Sequence, residues 1–357
     1  MTYRVIQWGT GAVGSCSLRQ IIDHPELELA GVWVSGPGKA GKDAGELCGR
    51  DATGILATSS KQEIYDIDAD IVIHNAIAVN ADGALPFDDD VVQLLESGKN
   101  VISTASYFSR MIEGPERMAR LEAACSKGNT TIYGGGVDPG FACDRVAALL
   151  SGSVTNVKHI RMIECQDVSK HPSFDLLSEV GFGKLPEERD MTTPGAQYYG
   201  GRLLIAAVPK LAELLGVQLD GIVPREELVL AEQDMETAMG TIKAGTIRGA
   251  LHEFTGTRNG EPFITHQWIT YMGSDGLPDN WLLVPVPEDD APPYFVRVEI
   301  EGKPSLQMDL LYTDDEDVTS YSAPTAAVCV NAIPDVCEAE SGFLQEDVFG
   351  RWRAKLK

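Results

Sequence analysis

The chain has few cations and no long apolar run. Of its 357 residues, 29 are Lys or Arg against 53 Asp or Glu, a formal net charge of -24 at pH 7. A surface that acidic repels phosphodiester backbones and anionic lipids, which excludes nucleic acid and membrane surfaces as partners. No uninterrupted apolar stretch is long enough to span a bilayer. Met1 leads directly into a strand pattern without a basic and then an apolar leader, so the expected location is the cytoplasm. The seven cysteines are odd in number, scattered, and lack any C-x-x-C pair, which reads as reduced, mostly buried thiols and neither disulfides nor zinc. No metal-ligand spacing, phosphate-binding P-loop or Ser-His-Asp order is visible. The acidic runs Asp88 to Asp90, Glu288 to Asp290 and Asp314 to Asp317 read as solvated loops.

What remains is an ordinary globular composition, 43% hydrophobic and 23% charged, in a chain long enough for two domains. The organising stretch is Gly9-Thr10-Gly11-Ala12-Val13-Gly14. It follows an apolar strand pattern, Tyr3 to Trp8, and leads into Leu18, Ile21 and Ile22, spaced as on one helix face. Strand, glycine turn and helix in that order form a dinucleotide-binding fingerprint, in which Gly9 turns the chain, Gly11 admits a pyrophosphate and Gly14 lets the helix pack closely. The helix N-terminus then supplies N–H groups to the phosphates.

Leu27 to Ser35 reads as the second strand, at whose end an NAD-specific site presents Asp or Glu to the adenosine ribose. Here Ser35, Gly36, Pro37, Gly38 and Lys39 stand in that place, with Lys42 just beyond. A hydroxyl and ammonium groups suit a 2′-phosphate, so NADP is preferred over NAD. Further strands are expected at 70 to 74, 100 to 104 and 130 to 133, with helices over 91 to 95 and 115 to 128. The strand ends place His74, Asn75, Ala76 and Thr104 along the ligand crevice; His74 fits a structural histidine as well as a contact. This alternation predicts a Rossmann doubly wound parallel sheet.

At Gly134 to Phe141 (GGGVDPGF) the alternation stops. The segment suits an interdomain hinge, and its Gly136, Asp138, Pro139 and Gly140 are candidates to aim backbone groups at a substrate. Beyond it, strands at 156 to 164, 246 to 257, 262 to 272, 294 to 300 and 306 to 312 predict an α+β domain with an open, largely antiparallel sheet. Asn259-Gly260 marks a type I′ hairpin, and a helix over 197 to 215 bends at Pro209. The domains expected are 1–142 for the dinucleotide, with 322–357 packing back on it, and 143–321 for substrate and oligomerisation. An open sheet exposing Phe263 and Trp268 predicts a homodimer.

These pieces resemble the group with a dihydrodipicolinate-reductase-like N-terminal domain, and within it the 2,4-diaminopentanoate dehydrogenases and native amine dehydrogenases. The resemblance runs over nearly the whole chain: WGTGAVG at 8 to 14, GKDAGEL at 41 to 47, NVIST at 100 to 104, GGGVDPGFACD at 134 to 144 and VNAIP at 330 to 334. It implies an NAD(P)-dependent oxidoreductase that transfers hydride to a small carbonyl or imine. The amine-forming members of the group carry a glutamate just after the serine-threonine strand end, where this chain has Ala105-Ser106-Tyr107. Reduction of a carbonyl or preformed imine, with weak or no use of free ammonia, is therefore expected. Tyr107 is the first candidate for the proton donor and His171 the second, although an aromatic wall is the plainer reading of Tyr107 and an ordinary loop histidine that of His171. Two alternatives stand beside this reading: a non-catalytic NADP-binding sensor or assembly protein, and a true amine dehydrogenase that uses ammonia.

Overall fold

The structure, a computed structural model, describes residues 2–36, 38–76, 87–171, 174–190, 192, 202–283, 294–312, 321–346, 348 and 350–353. Its chain divides into two compact units, one of Met1–Asn80, Ala84–Gly140 and Ser322–Glu346, the other built on Phe141–Tyr321 with Asp347–Lys357.

In the first unit strand and helix alternate. The order is β1 (Tyr3–Trp8), α1 (Ala12–Asp23), β2 (Leu27–Trp33), α2 (Ala44–Cys48), α3 (Lys61–Asp66), β3 (Ile71–His74), α4 (Asp88–Glu96), β4 (Asn100–Ser103), α5 (Arg110–Glu113), α6 (Pro115–Gly128) and β5 (Thr131–Gly134). These strands pair in parallel, and with the last short strand, Gly342–Phe343, they form one sheet in the order 342–343, β5, β4, β3, β1, β2. On one face of this sheet Val5, Ile71, Ile73 and Ile102 pack with Ile21 of α1 and with Cys329, Ile333 and Val336, which buries the apolar runs of β1 and β3 there. The Ala/Val-rich stretch supplying those last residues forms two helices, Ser322–Asn331 and Ile333–Glu338, and its small side chains allow close approach to α1, where Gln20 Nε2 donates to Ala323 O.

The second unit contributes α7 (Arg145–Ser151), β6 (Thr155–Asp167), α8 (Phe174–Glu179), a helix at Ala207–Leu215, then β7 (Gly221–Leu230), β8 (Met235–Thr237), β9 (Gly240–Ile242), β10 (Ile247–Arg258), β11 (Glu261–Tyr271), β12 (Tyr294–Lys303) and β13 (Leu306–Tyr312). Six of these strands form a sheet ordered β13, β12, β6, β11, β10, β7, antiparallel except between β6 and β11. The β10–β11 hairpin turns at Asn259 and Gly260, both at positive φ (54° and 79°), as a type I′ turn requires.

Several expectations change. The run Asp88 to Asp90 is no loop: it is the first turn of α4, where carboxylates favour the N-terminal dipole, and Asp88 and Asp90 are both ion-paired. The two later acidic runs lie outside the described residues. Pro209 bends nothing, because it sits in the first turn of Ala207–Leu215, where its missing N–H has no partner to lose; residues 197–201 lie outside the described residues. Strand β7 was unforeseen; it tolerates Pro224 because it is an edge strand. Phe263 is 4% exposed, packing on Trp352, so it does not need a partner subunit to cover it. Trp352 also shows why the last residues group with the second unit: its N–H donates to Ser151 Oγ. Among the described residues no helix is long and apolar enough to cross a membrane.

Candidate active site

The carboxyl ends of β1, β2 and β3 enclose a cleft of about 600 Å³, whose lining includes Gly9, Thr10, Gly11, Ser35, Lys39, Asn75 and Ala76. Each glycine of the turn answers to a different constraint. Gly9 has φ of 91°, and a Cβ there would lie 2.6 Å from Asn75 O. At Gly14 a Cβ would lie 2.3 Å from Gly9 O, so the first turn of α1 can rest on the loop only without a side chain. Gly11 differs from both, since nothing lies within 4 Å of where its Cβ would be. Gly11 is also the N-cap of α1, with no side-chain cap and no acidic residue in the following turn. The opening N–H groups of α1, at Ala12, Val13 and Gly14, therefore belong to an end that is positive and has room beside it. That is the shape a pyrophosphate needs.

Beneath the turn, Gln7 is fully buried, and its Nε2 donates to Gly9 O (2.8 Å) and Asn75 Oδ1 (2.8 Å). Asn75 Nδ2 donates in turn to Thr104 Oγ1 (3.1 Å), so Thr104 holds Asn75 rather than lining the cleft. Lys39 reaches over the loop, and its Nζ donates to Thr10 O (2.6 Å) and Thr10 Oγ1 (3.1 Å). Lys42 turns away to Glu46. The sequence reading missed several other groups on the cleft: Trp8, Trp33, Lys61, Phe87 and Asp90. Trp8 and Trp33 face each other across the β1–β2 register and stack with centroids 4.4 Å apart. Their positions at two strand ends were a readable signal. Lys61 and Asp90, paired at 2.6 Å, meet only through the fold.

His74 is completely buried between Trp8 and Phe87, with Nδ1 3.1 Å from Ser103 Oγ. Burial pushes its pKa down to about 4, with Asp88 opposing only part of the effect. A ring neutral in the fold but titrating near 6.5 when unfolded takes up its proton preferentially in the unfolded chain. Stability is thus complete above pH 6.5, falls as pH drops toward 4, and levels off below that. The expected loss is about 3 kcal/mol. Urea unfolding at pH 7.5 and pH 4.5 measures it, and His74→Phe, which keeps the ring packing, should lose that part of the pH dependence.

Tyr107 is not placed as a proton donor. It is 1% exposed, and its hydroxyl donates to Asp88 Oδ1 at 2.6 Å. The Arg117 guanidinium lies 4.6 Å from the ring centre and bonds Asp88, Glu113 and Ser106 Oγ. Glu113 accepts from the Tyr107 N–H (2.8 Å) and from Ser106 Oγ (3.1 Å). The carboxylate absent at 105 to 107 in sequence is thus supplied in space by Glu113, but ion-paired and buried, it is no accessible base. The network fixes Tyr107 at φ of 72°, a conformation costly for a bulky side chain. His171 is likewise engaged: its Nε2 lies 2.9 Å from the Tyr321 hydroxyl, and burial lowers its pKa. Gly136, Asp138, Pro139 and Gly140 do not line the cleft; they close on themselves, a Cβ at Gly140 falling 2.6 Å from Gly136 N.

Comparison with known proteins gives this geometry its context. The sequence profile of the 2,4-diaminopentanoate dehydrogenase C-terminal domain matches residues 141–271. An amine dehydrogenase of Streptomyces virginiae is 32% identical over 351 residues, covering 94% of this chain and 93% of the relative. The chain belongs to the amine dehydrogenase family. A more distant member, the 2,4-diaminopentanoate dehydrogenase of Acetoanaerobium sticklandii, is 22% identical over 347 residues, covering 95% of this chain and 91% of the relative. The amine dehydrogenase of Mycobacterium smegmatis shares the fold, with a TM-score of 0.76 at 19% identity over 99% of this chain and 98% of that one. The relatives named are dehydrogenases, and this chain is an NAD(P)-dependent oxidoreductase.

Proposed function

We propose that the protein interconverts a small primary amine and its imine or carbonyl partner, with NADP(H) preferred over NAD(H). The observation that carries the reading is the Gly9–Gly14 cradle, in which only Gly11 faces open space, beside a β2 end that offers Ser35 and Lys39 in place of a carboxylate. When bound, the nicotinamide delivers hydride to the substrate carbon or accepts it. The chain's own work is positional: α1 N–H groups hold the pyrophosphate, Lys39 and Ser35 meet the 2′-phosphate, and Gln7 and Asn75 keep the turn in shape. The substrate roles of Gly136, Asp138, Pro139 and Gly140 belong to this proposal as backbone contacts, as does a homodimer in the cytoplasm, which light scattering at micromolar concentration tests.

Two measurements test the reading. Fluorescence titration should show NADPH binding more tightly than NADH, and Lys39→Ala should weaken NADPH roughly 10- to 100-fold and NADH less, since a charge-assisted contact contributes about 1.5–3 kcal/mol. Equal affinities in the wild type would remove the NADP argument. A panel of short-chain amines with NADP⁺, and of the matching ketones with NADPH with and without ammonium, then defines the reaction. Turnover on alcohols alone would overturn the amine assignment.

A further inference from the structure

The glycine turn, Ser35 and Lys39 account for the phosphates of a dinucleotide and leave part of the same cleft without a role. That part is lined by Trp8, Trp33, Lys61, Phe87 and Asp90. Strand register sets Trp33 of β2 beside Trp8 of β1, and Trp8 beside His74 of β3, so the three rings leave one face of the sheet. Tyr65 of α3 stacks on Trp8 there, and Phe87 packs on His74. Trp8 is 1% exposed while Trp33 is only partly buried, so Trp33 is the indole with surface to offer a ligand.

Beside that ring stand two opposite charges. Lys61 and Tyr65 are one turn apart on α3, and both reach Asp90 of α4: Lys61 Nζ donates to Oδ2 at 2.6 Å and the Tyr65 hydroxyl to Oδ1 at 2.9 Å. Lys61 Nζ also lies over the Trp33 ring, 5.9 Å from its centre. Asp90 is 9% exposed. A carboxylate has about four acceptor positions, so these two bonds leave one on each oxygen, and Asp90 lines the cleft. A pair that only tied α3 to α4 would need no such opening.

A flat aromatic surface with an ammonium donor and a carboxylate acceptor side by side complements one edge of adenine. That edge presents the acceptor N7 next to the 6-amino donor, whereas a 6-oxopurine presents two acceptors. We propose that this part of the cleft is an adenine subsite, in which the base stacks on Trp33, the Asp90 carboxylate accepts from the 6-amino group and Lys61 donates to N7. The proposal rests on the cofactor reading above, since the base hangs from the ribose that Ser35 and Lys39 receive, and Trp33 stands two residues before Ser35. Stacking is tolerant because every base has an aromatic face, and phosphate contacts are the same for every purine. Asp90 is therefore the residue that chooses the base. A 6-oxo group would set its oxygen against the carboxylate, and a site built to accept a hydrogen bond rejects an analogue that cannot donate it.

The probe pair is NADPH and its hypoxanthine analogue, which differ only at position 6 of the purine, with NADH and its hypoxanthine analogue run alongside. Each is titrated by nicotinamide fluorescence into wild type, Asp90→Asn and Lys61→Met. Wild type should bind the adenine forms about tenfold or more tighter. Asp90→Asn should cut that preference to about threefold or less, because an amide can donate to an oxygen as well as accept from an amine. Lys61→Met should weaken both bases alike and keep the preference, since N7 is common to them and the carboxylate remains. Equal affinity for the two bases in wild type, an undiminished preference in Asp90→Asn, or a preference lost in Lys61→Met would overturn the assignment to Asp90. Asparagine is isosteric and still accepts from Lys61 and Tyr65, so the fold should persist; thermal melting checks this. Failure of the NADP reading is a separate outcome, in which NADPH and NADH bind equally although the preference for adenine stands in both pairs.

Discussion

Gly11→Ala should leave the protein folded and cost it the cofactor. A Cβ at position 11 meets nothing within 4 Å, and the φ of -76° there suits any residue, so the melting temperature should fall by no more than a few degrees. The space the methyl enters is the space beside the free end of α1. Losing the approach of one phosphate to two N–H groups, each charge-assisted contact contributing about 1.5–3 kcal/mol, predicts an affinity loss on the order of 10² or more. Fluorescence titration of NADPH measures it. Gly14→Ala is the contrast: its Cβ would lie 2.3 Å from a backbone oxygen, so stability and binding should fall together. Normal NADPH affinity in Gly11→Ala would mean that the pyrophosphate does not pass there.

Arg117→Met is expected to destabilise the first unit strongly. The guanidinium is the shared partner of Asp88 and Glu113, with side-chain exposures of 12%, 20% and 0%. Removing it leaves two carboxylates without their cation in a poorly solvated site, and breaking a buried pair in this way costs about 3–5 kcal/mol. It also frees Tyr107, whose positive φ depends on what holds it. Urea unfolding at pH 7 gives the loss, and the double change Arg117→Met with Glu113→Gln should recover part of it, because the second change removes one unpaired charge. A loss under 1 kcal/mol would reduce the network to a solvated surface pair.

The sequence carried the first unit almost entirely, since its signals are local. Strand, glycine turn and helix lie within residues 3 to 23, and the apolar runs at 71 to 74 and 100 to 103 need no knowledge of their neighbours to read as buried parallel strands. The absence of a carboxylate after β2 is equally a matter of chain order. Catalytic side chains behaved differently. Tyr107 and His171 were chosen for position and residue type, yet each hydroxyl or ring nitrogen is engaged by a group far off in sequence, Asp88 in one case and Tyr321 in the other.

What the sequence alone determined, then, is the class of cofactor and the two architectures, because a glycine's missing Cβ and the period of an apolar pattern are properties of adjacent residues. What only the tertiary structure decided is which polar groups have partners. Glu113 reaches the end of β4 through α5, Lys61 finds Asp90 across the cleft, and Glu226, His252, Trp268 and Glu164 become neighbours by strand register. A residue's chemistry depends on whether its hydrogen bonds and charge are already satisfied, and that is settled by residues tens of positions away. No local pattern records it.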